Sequence, residues 1–189
     1  MGKSMAFSDD RAQLQAPVTE RDHAEGAADA RVTLVEYGDY ECPYCGRAHP
    51  IIKEVQRRLG DRLRFVFRNF PLTEAHAHAQ HAAEAAEAAA SQGRFWAMHD
   101  SLLVHQRALA DSHLLEYAKA IGLDVAQFQQ ELDSHVHARR VRADFLGGVR
   151  SGVNGTPTFF INDLRYDDGL DADSLVSALE AAMPVSHRR

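Results

Sequence analysis

The hydrophobic pattern first becomes regular at residues 31–37, a β-branched run that predicts a strand. Beyond a polar turn, apolar residues recur at helical spacing from Pro43 to Leu59, and Gly60 ends this predicted helix. Residues 62–68 then alternate apolar with basic or smaller side chains, which is typical of a strand with one buried face, often near a sheet edge. The order of strand, helix and strand predicts a βαβ unit with parallel strands.

The middle of the chain shows a different pattern, because almost every residue there favours a helix. Glycine, aspartate and serine break it into predicted helical segments at residues 76–90, 95–106, 112–121, 125–132 and 135–150. Towards the C-terminal end the strand pattern returns at residues 158–161 and 164–166, and Asn162-Asp163 between them predicts a hairpin turn. Residues 171–183 predict a final amphipathic helix.

These patterns divide the chain into four parts. Residues 1–30 are polar and Ala-rich without a clear period, and we expect an arm that is partly disordered or lies over the domain. Residues 31–73 are predicted to form the first half of an α/β domain, residues 74–151 a helical insertion, and residues 152–184 the second half. The predicted fold class is therefore α/β, with elements in the order βαβ, helical insert, ββα.

Composition and charge narrow the classes of function. The chain has 189 residues, of which 45% are hydrophobic and 25% charged, as is usual for a globular domain. A net charge of −6 argues against a nucleic-acid partner, because such partners require a basic face. No apolar run approaches the roughly 20 residues that span a bilayer, so we expect no membrane insertion. No secretory leader is visible, which favours a cytoplasmic location, or a periplasmic one if a leader has been removed.

The two cysteines, Cys42 and Cys45, are the residues most informative about function. A disulfide between them would close almost no loop, so we expect the pair to serve chemistry or metal binding. The pattern places Cys42 at the start of the predicted helix and Pro43 at its first position, where unpaired N–H groups favour a thiolate. We therefore predict that Cys42 is the nucleophile and Cys45 the resolving thiol. A zinc site, inert buried cysteines and a regulatory disulfide without turnover are the alternatives.

Two segments carry a family resemblance: residues 35–45, with the sequence VEYGDYECPYC, and residues 152–162, with the sequence GVNGTPTFFIN. Together with Phe70-Pro71-Leu72, the Ala-rich helix and residues 93–100, they resemble the bacterial DsbA-like oxidoreductases. The resemblance covers about residues 31–183. It implies a thioredoxin fold with an inserted α-helical subdomain, and the activity of a protein disulfide oxidoreductase.

The resemblance also implies which residues meet the substrate. Thr156 and Pro157 align with the family's cis-proline loop, which packs against the cysteine pair and offers backbone groups to an extended substrate segment. We expect Pro43 and Tyr44, between the cysteines, to contact the substrate as well. Because Tyr44 stands where strongly oxidising relatives carry histidine, we expect a milder reduction potential, on the order of −150 to −240 mV.

Two glutamates near the cysteines are further candidates. Glu36 lies where the resemblance implies a buried acid, and its expected role is a proton relay for Cys45 with a pKa raised by burial. Because glutamate side chains are mostly exposed, a surface position for Glu36 is the alternative. Glu41 is adjacent to Cys42, and its negative charge is expected to oppose the thiolate slightly.

The histidines His76, His78 and His81 suggest a metal site, since His78 and His81 share a helix face with Glu84. Ala-rich helices commonly place such polar residues on a solvated face, and we favour that interpretation. We therefore predict no bound metal. No cofactor is predicted besides the redox-active Cys42–Cys45 disulfide, with glutathione as an optional co-substrate.

Three functions stay open at this point. The first is disulfide exchange with protein thiols and disulfides, together with a redox partner that resets the cysteine pair. The second is a glutathione-linked reductase, isomerase or transferase on the same fold. The third is a non-catalytic redox-sensing module, since similar domains are sometimes joined to membrane antiporters. Because both cysteines and the Thr156-Pro157 loop are present, the sequence favours the first, with the direction of exchange left open.

Overall fold

The computed structural model describes residues 12–184. Its central feature is a five-stranded sheet with the spatial order β1-β3-β2-β4-β5. β2 and β3 run parallel, and the other neighbouring strands run antiparallel. The strands are β1 (His23–Glu25), β2 (Val32–Gly38), β3 (Leu63–Asn69), β4 (Thr158–Ile161) and β5 (Leu164–Tyr166).

The helices comprise a pair that belongs to the sheet domain and a group that forms the insertion. α1 (Pro43–Leu59) and α7 (Ala172–Ala181) pack together, and their residues Ile52 and Leu175 share a core with Leu34 of β2. The insertion contains α2 (Ala79–Ser91), α3 (Phe95–Val104), α4 (Asp111–Ala120), α5 (Val125–Asp133) and α6 (Ala138–Arg150). The predicted mixed α/β architecture with a helical insertion is confirmed. Within residues 12–184, no helix combines the length and the hydrophobicity required to cross a membrane.

The strand predicted at residues 62–68 is present as β3 and lies next to the edge strand β1, but the single buried face expected for it is wrong. β1 pairs with it on one side and β2 on the other, and both of its faces are covered. Arg68, near its end, is buried and donates two hydrogen bonds to the carboxylate of Asp22, at 2.7 and 3.1 Å. Because the Asp22 carboxylate neutralises its charge, Arg68 can be buried in an inner strand of the sheet.

Part of the cover of β3 comes from the amino-terminal segment, and α6 also packs against this strand. Residues 1–11 lie outside the described part of the chain, whereas residues 12–30 lie over the domain. Gln13 forms a bridge with Leu164 at the far edge of the sheet. The carbonyl oxygens of Ala16 and Pro17 accept hydrogen bonds from the Arg68 guanidinium at 2.7 and 3.0 Å. These backbone contacts, which require no hydrophobic period, hold the segment in place.

The Ala-rich helix α2 is surrounded by other helices, because alanine side chains allow close approach from every side. The solvated face that we expected for Glu84 is therefore wrong: Glu84 and Glu87 are both buried. Glu84 contacts Nδ1 of His135 at 3.0 Å, and Glu87 contacts Nε2 of His23 at 2.9 Å. Histidine partners thus make the burial of these carboxylates tolerable.

Candidate active site

Cys42 lies at the amino-terminal cap of α1, between strand β2 and the first helical residue, Pro43. Its thiol donates a hydrogen bond to the carbonyl oxygen of Thr156 at 3.3 Å. The pKa of Cys42 is lowered to about 5, first by a hydrogen bond from the Cys45 thiol. The Thr156 side chain and the backbone N–H groups of Cys45 and Tyr44 lower it further, and burial opposes them. The start of α1 therefore favours a thiolate at this sulfur.

Cys45 lies one turn further along α1 and faces the core. It is 0% exposed, against 3% for Cys42, and both cysteines are free thiols. Burial raises the pKa of Cys45 well above its usual value, and the bond to Cys42 and the negative charges of Glu36 and Cys42 add to the rise. One contact lowers the pKa of Cys45, because the N–H of Asp39 donates a hydrogen bond to the Cys45 sulfur at 3.4 Å. The two thiols thus differ strongly in their tendency to ionise.

The loop before β4 covers the cysteine pair from the opposite side. The peptide bond between Thr156 and Pro157 is cis, as the family resemblance implied, and the Thr156 carbonyl faces the Cys42 sulfur. Both residues are partly exposed. Thr158, the next residue, fixes the loop because its hydroxyl donates to the carbonyl of Gly155 at 2.8 Å. A partner bonded to Cys42 would therefore meet the backbone of this loop.

Glu36 is buried in the centre of the sheet, so the surface alternative is contradicted. It is 2% exposed, and its neighbours in register are Phe67 of β3 and Phe159 of β4. Burial raises the pKa of Glu36 to about 8, and the negative charge of Cys42 adds to the rise. Because side chains alternate along a strand, Glu36 lies on the face of β2 that carries Leu34, which shares its core with Cys45. An acid with a pKa near neutrality thus lies beneath the cysteine pair.

Asp39 organises the turn between β2 and α1, and the sequence analysis did not identify it. Its buried carboxylate accepts hydrogen bonds from the N–H groups of Glu41 and Leu72, each at 2.8 Å. Nδ1 of His76 lies 2.8 Å from the same carboxylate. Burial acts to lower the pKa of His76, but the bond to Asp39 and the charges of Asp39, Cys42 and Glu41 raise it overall. In the sequence, the signal that could have identified Asp39 was its place as a polar residue between a predicted strand and the cysteine motif.

Gln106, which follows α3, was also missed. Its side-chain amide donates to the carbonyl oxygens of Tyr40 at 2.9 Å and Cys42 at 2.7 Å. These bonds tie the helical insertion directly to the turn that carries Cys42. No local pattern marks such a residue, since both of its partners are backbone atoms more than sixty positions away.

Comparisons with known proteins agree with this geometry. A family model described as thioredoxin matches residues 18–181. The chain belongs to the thioredoxin family. BdbD from Bacillus subtilis, in its oxidised form, superposes with a TM-score of 0.80 at 26% identity, over 91% of this chain and 96% of that one. A thioredoxin-like oxidoreductase from Silicibacter pomeroyi DSS-3 gives 0.77 at 27% identity, over 87% and 93% of the two chains. The predicted DsbA-like thioredoxin fold is confirmed.

Curated relatives match this thioredoxin domain over only part of their length. The chain is 49% identical over 164 residues to Na(+)/H(+) antiporter NhaA 1 of Mycobacterium sp. (strain KMS), which covers 86% of the chain and 27% of that protein. It is 46% identical over 170 residues to Na(+)/H(+) antiporter NhaA 1 of Salinispora arenicola (strain CNS-205), with 89% and 26% covered. The chain spans about a quarter of the length of the curated relatives it matches.

The residues beside the cysteines of this thioredoxin domain are exposed. Pro43 is exposed and Tyr44 is 59% exposed, with the guanidinium carbon of Arg47 4.4 Å from the tyrosine ring centre. The Glu41 carboxylate accepts a hydrogen bond from the N–H of His78 at 2.6 Å and lies 3.0 Å from Nδ1 of that histidine. Burial acts to raise the pKa of Glu41, but these bonds lower it overall, so the carboxylate is ionised.

The histidines considered for a metal site do not converge. His76, His78 and His81 contact three separate acids, which are Asp39, Glu41 and Asp111. Within the described residues, one group does bring metal-type donor atoms within 4.8 Å of one another, namely His49, His99 and Asp100. Nζ of Lys53 lies 2.9 Å from the Asp100 carboxylate, and the Tyr40 hydroxyl lies 3.1 Å from Nδ1 of His99. The ion pair with Lys53 and the hydrogen bond with Tyr40 thus explain why these polar side chains lie close together.

Proposed function

We propose that this thioredoxin-family domain exchanges disulfides with protein substrates, with Cys42 as the nucleophile and Cys45 as the resolving thiol. The observation that carries the proposal is the asymmetry of the pair. Cys42 lies at a helix start against the carbonyl of Thr156, whereas Cys45 is enclosed behind it. Disulfide exchange requires one sulfur that leaves and attacks readily and a second that stays protonated until it is needed.

In the oxidising direction, a substrate thiolate attacks the Cys42 sulfur of the Cys42–Cys45 disulfide. The S–S bond breaks, and Cys45 leaves with the electron pair and takes a proton. A second substrate thiolate then attacks the substrate sulfur of the mixed disulfide and releases Cys42 as a thiolate. Two electrons pass from the substrate to the cysteine pair. The reducing direction is the same sequence reversed, and a redox partner resets the pair in either case.

We propose that Glu36 carries the proton exchanged with Cys45. Its pKa of about 8 means that both of its forms are accessible near neutral pH. The protonated form can donate when Cys45 leaves, and the carboxylate can accept when Cys45 attacks. Because Cys45 is buried, bulk water reaches it poorly, and an internal acid is the physical alternative.

The pKa of Cys42 supports an intermediate reduction potential for the cysteine pair. Its pKa of about 5 lies between the values of about 7 for thioredoxin and about 3.5 for DsbA. A more stable thiolate favours the reduced form and makes the disulfide more oxidising. We therefore keep the expectation of about −150 to −240 mV, between those two classes.

Turnover of a reduced peptide and of insulin, in glutathione buffers of fixed ratio, tests the proposal. Cys42→Ala is expected to abolish exchange, and Cys45→Ala to accumulate a mixed disulfide without turnover. Glu36→Gln is expected to slow resolution and remove its pH dependence near pH 8, while substitution of Glu54, a partly exposed acid of α1, by Gln is expected to leave both unchanged. Full turnover by Cys45→Ala with glutathione alone would contradict the proposal and favour a glutathione-linked monothiol enzyme.

A further inference from the structure

A groove of about 700 Å³ lies between the first turns of α1 and the segment that follows α3. We term it the arginine groove. The residues that define its character are Pro43, Arg47, Val104, Gln106 and Arg107. None of the steps proposed above uses it.

The arginine groove adjoins the nucleophile. Gln106, one of its walls, donates a hydrogen bond to the carbonyl oxygen of Cys42 at 2.7 Å, and Pro43 follows Cys42 directly. An extended polypeptide advances about 3.3–3.6 Å per residue. A substrate segment joined through its cysteine to Cys42 therefore reaches the groove with the first few residues beside that cysteine.

The groove combines apolar surface with positive charge. Val104 is 66% exposed, and the exposed Tyr44 ring stacks with Arg47 beside it. Arg47 and Arg107 are both exposed, and among the residues that the structure describes no carboxylate lies within ion-pairing distance of either. Glu41 also borders the groove, but its carboxylate is bonded to His78. These two arginines make the groove locally positive, although the net charge of the chain is −6.

We infer that the arginine groove binds the part of a protein substrate next to its reactive cysteine and selects segments that carry an acidic side chain among apolar ones. The inference rests on the proposed function and names the substrate class of the same site. Arginine suits this role because its planar guanidinium binds a carboxylate through paired hydrogen bonds. Exposed charges of this kind mainly steer and orient a partner.

The test uses reduced peptides of one sequence that carry Glu, Gln or Lys two to four residues from the single cysteine. We expect the full chain to give a kcat/KM that is about three- to tenfold higher for the Glu peptides than for the Lys peptides at low salt. The double variant Arg47→Gln, Arg107→Gln is expected to remove this preference through KM. The matched control, Arg139→Gln and Arg142→Gln on the exposed face of α6, is expected to keep it.

Hydroxyethyl disulfide, a small uncharged substrate, separates failure of this inference from failure of the proposed function. If no variant or substrate gives turnover, the proposed function fails. If hydroxyethyl disulfide and all peptides react but Glu and Lys peptides react equally, the groove does not select substrates and the inference is overturned. The inference is also overturned if the arginine substitutions slow only the reaction with glutathione disulfide, because the groove then serves a small thiol.

Discussion

Nδ1 of His76 lies 2.8 Å from Oδ2 of Asp39, whose buried carboxylate also accepts a hydrogen bond from the N–H of Glu41 in the turn leading to Cys42. A carboxylate enclosed in this way requires a compensating charge, and the histidine supplies it from the segment that enters the helical insertion. The pair therefore connects the charge state of the partly exposed His76 imidazole with the surroundings of Cys42.

We expect His76→Gln to raise the pKa of Cys42, because glutamine retains a hydrogen bond to Asp39 but loses the positive charge that favours a thiolate. Alkylation of Cys42 at pH 4.5 should slow by about three- to tenfold. His81→Gln, on the same segment but in contact with Asp111, is the control and should leave the rate nearly unchanged. Equal rates for wild type and His76→Gln would rule out this electrostatic role.

The same pair predicts a pH dependence of stability. Since the folded pKa of His76 is raised, its contribution is fully present below the unfolded value of about 6.5 and is lost as the pH rises through the folded pKa. Urea unfolding should therefore separate wild type from His76→Gln more widely at pH 5 than at pH 9. A constant separation across this range would contradict the ion pair.

Glu36 predicts a second and larger pH effect. Its folded pKa of about 8 lies above the ordinary value of 4.5, so its contribution to stability is lost as the pH rises from about 4.5 to 8 and is constant above that. Relative to wild type, the free energy of unfolding of the Glu36→Gln variant should therefore rise by roughly a few kcal/mol as the pH increases across this interval. Denaturant curves at pH 4.5, 6.5 and 8.5 measure it, and no change in the difference would mean that Glu36 is not buried as a titrating acid.

The contact between Arg68 and Asp22 predicts a strong effect on stability away from the site. Asp22→Asn leaves the buried guanidinium without its counter-charge and should cost about 3 kcal/mol or more in the free energy of unfolding. The exposed pair Arg62–Glu180 is the comparison, and Glu180→Gln should cost less than about 1 kcal/mol. Similar losses for both variants would show that the amino-terminal segment is not held by this pair.

The elements with a clear hydrophobic period were predictable from the sequence. α1 was predicted over the same residues that it occupies, and β2, β4 and β5 lie within a residue of their predicted bounds. β1 was not predicted, because a strand of three partly buried residues gains its stability from pairing with β3 and not from its own pattern. The single buried face expected for β3 was wrong because the cover of its second face, which includes Leu14 and Phe145, lies far away in the sequence.

The candidate site was predictable in part. Cys42, Cys45 and the Thr156-Pro157 loop followed from spacing and resemblance, and an acid inside an apolar strand drew attention to Glu36. Asp39, His76 and Gln106 act through hydrogen bonds that mostly join residues distant in the sequence, and such bonds depend on how β2, the insertion and α1 meet in space. His76 and His78 were considered together as metal ligands, whereas the structure gives each its own carboxylate.

The asymmetry of Cys42 and Cys45 is the central claim, and site-resolved alkylation tests it most directly. The reduced chain is treated with iodoacetamide from pH 3.5 to 9, and the modified cysteine is identified by mass spectrometry at each pH. We predict that Cys42 alone reacts, along a titration curve centred at about pH 5, while Cys45 stays unmodified up to pH 9. Modification of Cys45 first, or of both cysteines with the same midpoint near pH 8.5 to 9, would contradict the account.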